Sequence, residues 1–365
     1  MIDLKSLNPK KVLIINTFGI GDVLFTTPFI SNLREEYPGL FIGYIANIRT
    51  APILKDNKKI NKVFVYERDD FLAIYRRSKW QFFSEIYKFL MQVKKENFDI
   101  VFDFSLNTPA NIFMWLLGIK HRIGFNYKNR SPLLTYKIPI LGFEGKHVVE
   151  YYLDLAQRLG LKVTNRNLEV FISDNDYAWA DDFLKGQGIL KSQRAIGVIP
   201  GGGASWGKEA RFRRWDTQKF AQLVDKIVEK FGLPIILMGD KLEEPLCEDI
   251  AKRARGKIIQ ACGKTTLNQF IALLKRCDFV FLNDGGPLHL AVAAGAKTVS
   301  LFGPVDEVVY GPYGPADRHR VVTNSVACRP CYRRFKMTNC EHVSCMKNIE
   351  VNDILSKLEG FVHPR

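Results

Sequence analysis

Short apolar runs alternate with amphipathic helical stretches along this chain, and the series starts over half-way. That pattern limits the fold more than any other feature. Lys11–Ile15, KVLII, is the first such run. Phe29, Ile30, Leu33 and Tyr37 then fall on one face of a helix that Pro38 ends. Strand-like runs follow at 41–45, 63–66 and 99–104, with helical stretches near 82–95 and 108–117. A further helix carries Tyr151, Leu155 and Leu159 to Gly160. After a polar passage near 162–194 the series restarts with strand Ala195–Ile199, helix 216–231, strand 234–238, helix 243–254, strand 257–260 and helix 266–276. Strands alternating with helices make parallel sheets covered on both faces. Two series in 365 residues predict an α/β protein of two doubly wound domains, 1–170 and 195–345. The passage 171–194 reads as their linker, and the cleft between the domains is the expected ligand site.

The formal charge of +15 suits an acidic partner: nucleic acid, an anionic membrane surface or a phosphorylated substrate. No zinc-finger spacing and no RNP-type aromatic motif favours nucleic acid. No apolar run approaches the roughly 20 residues of a membrane span. The N-terminal MIDLKSLNPKKVLII lacks a signal-peptide layout, so a cytoplasmic protein is expected.

Three corners can carry chemistry. In NTFGIGDVLFTTP, 16–28, Gly19 and Gly21 permit close backbone approach, and Asp22 stands where the next helix begins. Leu24 occupies the third glycine position of a dinucleotide fingerprint, which excludes that motif. Asp22 reads either as a helix cap or as a carboxylate able to take a proton. In PGGGASWGKEARFRRW, 200–215, Gly201 and Gly202 precede Lys208, Arg211, Arg213 and Arg214, a pattern suited to an anion. No Gly-Lys-Ser/Thr ends that loop, so it is not a Walker motif. In NDGGPLHLAVAAGAKTVSLFGP, 283–304, Gly285, Gly286 and Pro287 turn a strand into a helix whose free N–H groups attract anions. His289 could donate to a phosphate or sugar oxygen.

Together GIGDVLFTTPFISNLR, VIPGGG…RRW and NDGGPLHLAVAAGAKTVSLFGP resemble the motifs of the family 9 glycosyltransferases, the lipopolysaccharide heptosyltransferases. FDIVFDFSLNT, HRIGF and HVVEYYLDLAQRLG are weaker echoes in the same order. The resemblance implies a GT-B fold, two Rossmann-like domains with a final helix, within 346–365, crossing back to the first. It implies a nucleotide-sugar donor, ADP-heptose, and a lipid A/core oligosaccharide acceptor. It makes Asp22 the general base, places Asp284 and His289 at the donor, pairs Arg213 or Arg214 with the phosphates and offers Glu243 or Glu244 to the ribose. Gly21 and Asp103 fall to the acceptor side. Gly285 departs from the family, which often has a hydroxyl residue there, and the long loop 203–212 leaves the choice of arginine open.

The implied reaction is an inverting transfer. Arginines and N–H groups stabilise the departing diphosphate, one carboxylate takes the acceptor's proton, and no catalytic metal is expected. FLAIYRRSKWQFF, 71–83, sets Arg76, Arg77 and Lys79 among aromatics, as suits a phosphorylated lipid head group. The protein is therefore expected at the inner face of the inner membrane, peripherally attached. A protein-directed heptosyltransferase and a non-catalytic nucleotide-binding module are the alternatives.

Of seven cysteines, Cys247, Cys262 and Cys277 are scattered and read as small buried hydrophobes. Cys328, Cys331, Cys340 and Cys345 follow C-x2-C-x8-C-x4-C, which points to a metal before disulfides in a cytosolic protein. The spacing is irregular for a zinc ribbon. Cys-rich tails occur in the family, and some relatives hold iron with theirs. Structural Zn or Fe and free thiols are both open.

Overall fold

The strands are nearly all apolar because each lies in a parallel sheet with both faces covered. A computed structural model describes residues 3–358 and 361, the side chains of Ala204, Ser205, Trp206 and Lys208 excepted. The chain forms two compact units: Met1–Phe143 with Val148–Arg166, and Glu144–His147 with Asn167–Arg365.

In the first unit the strands are β1 Lys11–Ile15, β2 Phe41–Ala46, β3 Lys62–Val65, β4 Ile100–Asp103, β5 His121–Tyr127 and β6 Tyr136–Ile140. They pair in parallel in the order β3-β2-β1-β4-β5-β6. β1 and β4 are neighbours whose following connections leave in opposite directions, so the loops after Ile15 and Asp103 emerge side by side at the switch point. Helix Val148–Arg158 packs on helix Thr27–Glu36. Buried Asn32 fixes the exit of the unit, accepting from the Thr164 N–H at 2.7 Å and donating to the Asn165 carbonyl at 2.6 Å.

The second unit repeats the plan. Its strands are β7 Ala195–Ile199, β8 Ile235–Leu237, β9 Ile258–Gln260, β10 Cys277–Asn283, β11 Lys297–Phe302 and β12 His319–Thr323. All pairs are parallel, in the order β12-β11-β10-β7-β8-β9. Counted from β7, this is the same 3-2-1-4-5-6 winding, with its switch point between β7 and β10. The two glycine corners of this half, at 200–203 and 284–286, follow those two strands and so meet. Helix Thr217–Phe231 shows the local logic. Asp216 caps it by accepting from the N–H groups of Gln218 and Lys219, Gly232 ends it at φ 62°, and Phe220, Leu223, Val224, Ile227 and Phe231 face the core.

One expectation about domain limits changes. The passage 171–194 is not a bare linker, because it holds helix Asp174–Gly186, which packs on helix Leu267–Leu274 of the second unit. Its start is a capping box in which Ser173 and Asp176 satisfy each other's N–H groups. The final helix, Val351–Leu358, packs in the second unit's own core. It buries Val351, Ile354 and Leu358 against helix Thr217–Phe231 and strands β11 and β12. The Trp215 indole N–H donates to the Ile349 carbonyl at 3.0 Å just ahead of it. Each such buried aliphatic contributes about 1.5–3 kcal/mol, enough to hold two turns of helix in place.

Candidate active site

In the first unit the loop after β1 is shaped by two buried asparagines that the sequence reading gave no role. Asn16 accepts from the Phe18 N–H at 3.1 Å and donates to the Asp22 carbonyl at 3.0 Å. Asn47, at the end of β2, donates to the carbonyls of Thr17 and Phe18 at 2.9 and 2.6 Å. An Asn directly after an apolar strand was the available signal. So clamped, the loop enters helix Ile20–Phe25, which contains Gly21, and Asp22 at its third position accepts from the Gly19 N–H at 3.1 Å. Asp22 is half-buried. It therefore caps its helix through Oδ2.

Asp103 is placed otherwise than expected. It is fully buried at the end of β4, and both of its oxygens are engaged. Oδ1 accepts from the N–H and hydroxyl of Ser105, and Oδ2 accepts from the Asn111 amide at 2.8 Å. Burial raises its carboxyl to about 6 against these bonds. Asp103 braces the loop after β4 through these bonds. Arg76, Arg77 and Lys79 are exposed at the turn between helices Arg68–Arg77 and Lys79–Lys94.

In the second unit the glycine corners interlock. A Cβ on Gly285 would lie 2.0 Å from the Gly202 carbonyl oxygen, so only glycine lets the corners approach this closely. This is the physical reason why a hydroxyl residue is missing there. Asn283, buried at the end of β10, joins them further: its amide donates to the Pro200 carbonyl at 2.6 Å and accepts from the Trp215 N–H at 3.3 Å. Gly286, half-buried, opens helix Gly286–Ala293 with Pro287 behind it.

The arginines divide their work. Arg213 is buried and pairs with buried Asp284, Nη2 to Oδ2 at 2.7 Å. Burial still raises the Asp284 carboxyl, with Arg213 pulling it down. Arg214 is only half-buried and is tied by Nε to the Gly201 carbonyl at 3.1 Å. It also lines a groove of about 520 Å³ together with Arg211, Trp215, Cys340 and Lys347. His289 is buried, and burial, then His147 and Arg213, hold its imidazole well below the usual range, so it is neutral at pH 7. His147 approaches the Gly311 carbonyl at 3.1 Å and lies on the Tyr313 ring, centroids 4.7 Å apart.

Glu243, which the resemblance offers to the ribose, is held by backbone groups. It is buried, with Oε1 accepting from the Gly203 N–H at 2.9 Å and Oε2 from the Asp240 N–H at 3.1 Å. Its oxygen fills the space where a Gly201 side chain would go, at 1.7 Å from the Cβ position. Burial raises its carboxyl, with Asp240 adding to the shift. It braces the glycine loop from beneath. Glu244 follows it as the first residue of helix Glu244–Arg253. The side chain of Lys208 lies outside the described residues.

Cys247, Cys262 and Cys277 are buried, as expected. The other four cysteines are neighbours in space, because Cys328, Cys340 and Cys345 all act on the Cys331 thiol, which burial first and then these thiols raise to about 11. Their side chains do not form a ligand set: Cys328 is exposed, Cys345 is buried, and the Cys331 thiol donates to the Cys328 carbonyl at 3.0 Å. Among the described residues no three His, Cys, Asp or Glu side chains are placed to hold a metal ion. The arrangement does not fit the Zn or Fe site that the spacing suggested.

The sequence profile of glycosyltransferase family 9 (heptosyltransferase) matches residues 86–342, more than half of the chain. The chain belongs to that family. It is 26% identical over 352 residues to lipooligosaccharide heptosyltransferase 2 of Campylobacter jejuni, covering 94% of this chain and 95% of that one. It is 25% identical over 303 residues to lipopolysaccharide heptosyltransferase 3 of Escherichia coli, covering 80% and 82%. Among solved structures, a family 9 glycosyltransferase from Veillonella parvula superposes with a TM-score of 0.82 at 21% identity, covering 96% of this chain and 97% of that one. The E. coli ADP-heptose LPS heptosyltransferase II gives 0.73 at 20% identity, covering 96% and 98%. The fold is thus GT-B, two Rossmann-like domains, and the chain is a glycosyltransferase.

Proposed function

We propose that this glycosyltransferase moves heptose from ADP-heptose to the inner core of lipopolysaccharide, with lipid A–Kdo or a core heptose as acceptor, and inverts the anomeric centre. The observation that carries the reading is the interlocked pair of glycine corners at the second unit's switch point, beside Arg214, in a chain of the heptosyltransferase family. Relatives named as lipopolysaccharide and lipooligosaccharide heptosyltransferases support the substrate assignment.

The placement of each residue supports a part for it. Arg214 is the phosphate arginine, because Arg213 is already committed to Asp284. The N–H of Gly286 and the start of its helix add fixed positive charge for the diphosphate, and backbone groups of Gly201 and Gly202 face the same corner. Arg213 and Asp284 hold each other rigid. Neutral His289 has one ring nitrogen able to donate and one able to accept. As the anomeric bond breaks, negative charge gathers on the leaving diphosphate, and preorganised donors stabilise it without reorganising. Asp22 takes the proton of the attacking hydroxyl. Asp103, Glu243, Asn16, Asn47 and Asn283 position the loops that carry these groups.

Among the described residues no helix is long and apolar enough to cross a membrane. A lipid-linked acceptor then calls for peripheral attachment at the inner face of the inner membrane. Mass spectrometry of lipopolysaccharide from a strain lacking this gene tests the function. A core shortened by one heptose is expected, and an unchanged core contradicts it.

A further inference from the structure

The hairpin of helices Arg68–Arg77 and Lys79–Lys94 turns aromatic side chains outward, where a solvated face would be polar. The first helix buries no residue, and the second buries only Phe89 and Val93. Phe82 points inward and meets Phe71 and Tyr75, with ring centroids 6.4 and 5.2 Å away. Trp80, Phe83 and Tyr87, at i, i+3 and i+7, share the opposite face and are 88%, 60% and 61% exposed. Helix Thr108–Leu116 adjoins through a Phe89–Phe113 contact at 5.4 Å and exposes Ile112, Trp115 and Leu116. Monomeric proteins rarely leave a set of large apolar side chains this exposed without a use.

Charge identifies the occupant. Arg76, Arg77 and Lys79 crowd the turn beside Trp80, whereas Asp69 and Asp70 sit in the first turn of the first helix. At 1.5 Å per residue that separation is about 10 Å, near one Debye length, so the acids do little to neutralise the turn. On the second helix Glu85 is taken by Lys88 at 2.7 Å. A basic edge beside a Trp–Phe–Tyr stripe matches an anionic lipid bilayer: cations meet head groups while the aromatic rings settle at the boundary with the acyl chains.

We infer that this hairpin docks the enzyme on an anionic bilayer by inserting Trp80, Phe83 and Tyr87 into the interface, with Arg76, Arg77 and Lys79 on the head groups. Its biological sense rests on the lipid-linked acceptor proposed above, but the contact itself needs neither donor nor acceptor. Attachment through rings differs from attachment through charge alone in its response to salt. Raising ionic strength from about 0.1 M to about 1 M shrinks the Debye length from about 10 Å to about 3 Å and removes most of the charge term. The inserted rings keep their share.

The test is co-sedimentation of the full chain with vesicles of phosphatidylethanolamine and phosphatidylglycerol, and with vesicles of phosphatidylcholine alone. The wild type should bind the anionic vesicles, keep a measurable part of that binding at high salt, and bind the neutral ones less. The variant Trp80→Ser/Phe83→Ser/Tyr87→Ser should lose roughly tenfold or more in partition at high salt. Its melting temperature should hold, because the three rings are exposed. Trp80→Ser alone gives a smaller loss in the same direction and serves if the triple variant misfolds. Wild-type partition by the folded variants overturns the inference, and so does wild-type binding that disappears entirely at high salt. Lipid-free self-association that these substitutions abolish assigns the face to a second copy of the chain and also overturns it. Transfer to a delipidated core oligosaccharide should be unchanged in the triple variant. Failure of vesicle binding with transfer intact rejects only the docking face, whereas absence of transfer by the wild type rejects the proposed function.

Discussion

Replacing Glu243 with Ala separates a brace from a ligand. The buried carboxylate accepts from the Gly203 and Asp240 N–H groups, and Ala leaves both without that partner. A buried donor without a partner costs about 1–3 kcal/mol, so two cost roughly 2–6 kcal/mol. Burial raises the Glu243 carboxyl, which means the ion itself is held at some expense. Ala recovers that part and brings the expected loss to about 2–3 kcal/mol. For a domain of this size the ligand-free melting temperature should fall by roughly 5–10 °C. Glu243→Gln, which keeps one acceptor, should fall about half as far. Calorimetric titration supplies the second readout. Loss of the brace loosens the glycine loop, so ADP binding should weaken while adenosine binding barely changes. A ligand-free melting temperature within about 1 °C of wild type, with ADP and adenosine weakened alike, would refute the reasoning and restore Glu243 to the ribose.

Arg214→Ala should weaken ADP binding by about 1.5–3 kcal/mol with little change in stability, whereas Arg213→Ala strands Asp284 and should cost about 3–5 kcal/mol of stability. Calorimetry beside thermal melts checks both, and interchanged phenotypes would reverse the assignment. Asp103 carries a pH signature, since its carboxyl near 6 stands above the ordinary 3.8. The folded state holds that proton more tightly than the unfolded one. The resulting stability is full below about pH 4 and is lost as pH rises through 6, by up to about 3 kcal/mol. Denaturant melts from pH 4 to 7 should show this fall in the wild type and a flatter profile in Asp103→Asn; parallel profiles would contradict it. With a thiol reagent under native conditions, exposed Cys328 should react first, and Cys247, Cys262, Cys277 and Cys345 only on unfolding. A Cys328 that stays protected until a chelator is added would instead mean a metal site.

Most of the winding was legible in the sequence because parallel strands buried on both faces read as plain apolar runs, KVLII and AIGVI among them. The strands that escaped notice were HRIGFNY, YKIPI and HRVVT, where polar and apolar residues mix and the apolar run is broken. Helix Asp174–Gly186 was hidden by its own polarity, though S-D-N-D at its start carried a capping-box signal. At the site, the glycine corners were legible because their geometry admits few other residues. The roles of Asp103 and Glu243 were not, since a carboxylate reads the same in sequence whether its oxygens face solvent or backbone N–H groups. Arg213 and Arg214, adjacent in sequence, differ in burial and in partner, which no sequence pattern reveals.

The most direct test of the central claim is transfer itself, measured with purified protein, ADP-heptose and a lipid A–Kdo or heptosylated-core acceptor, and followed by ADP release and product mass. The wild type should add one heptose per acceptor with inversion at the anomeric carbon. Asp22→Asn should keep its fold and its ADP affinity, because Asn can still accept from the Gly19 N–H, yet lose about 10²–10⁴-fold in kcat. No transfer by the wild type to any core acceptor, or an Asp22→Asn variant retaining more than roughly a tenth of wild-type kcat, would contradict the account.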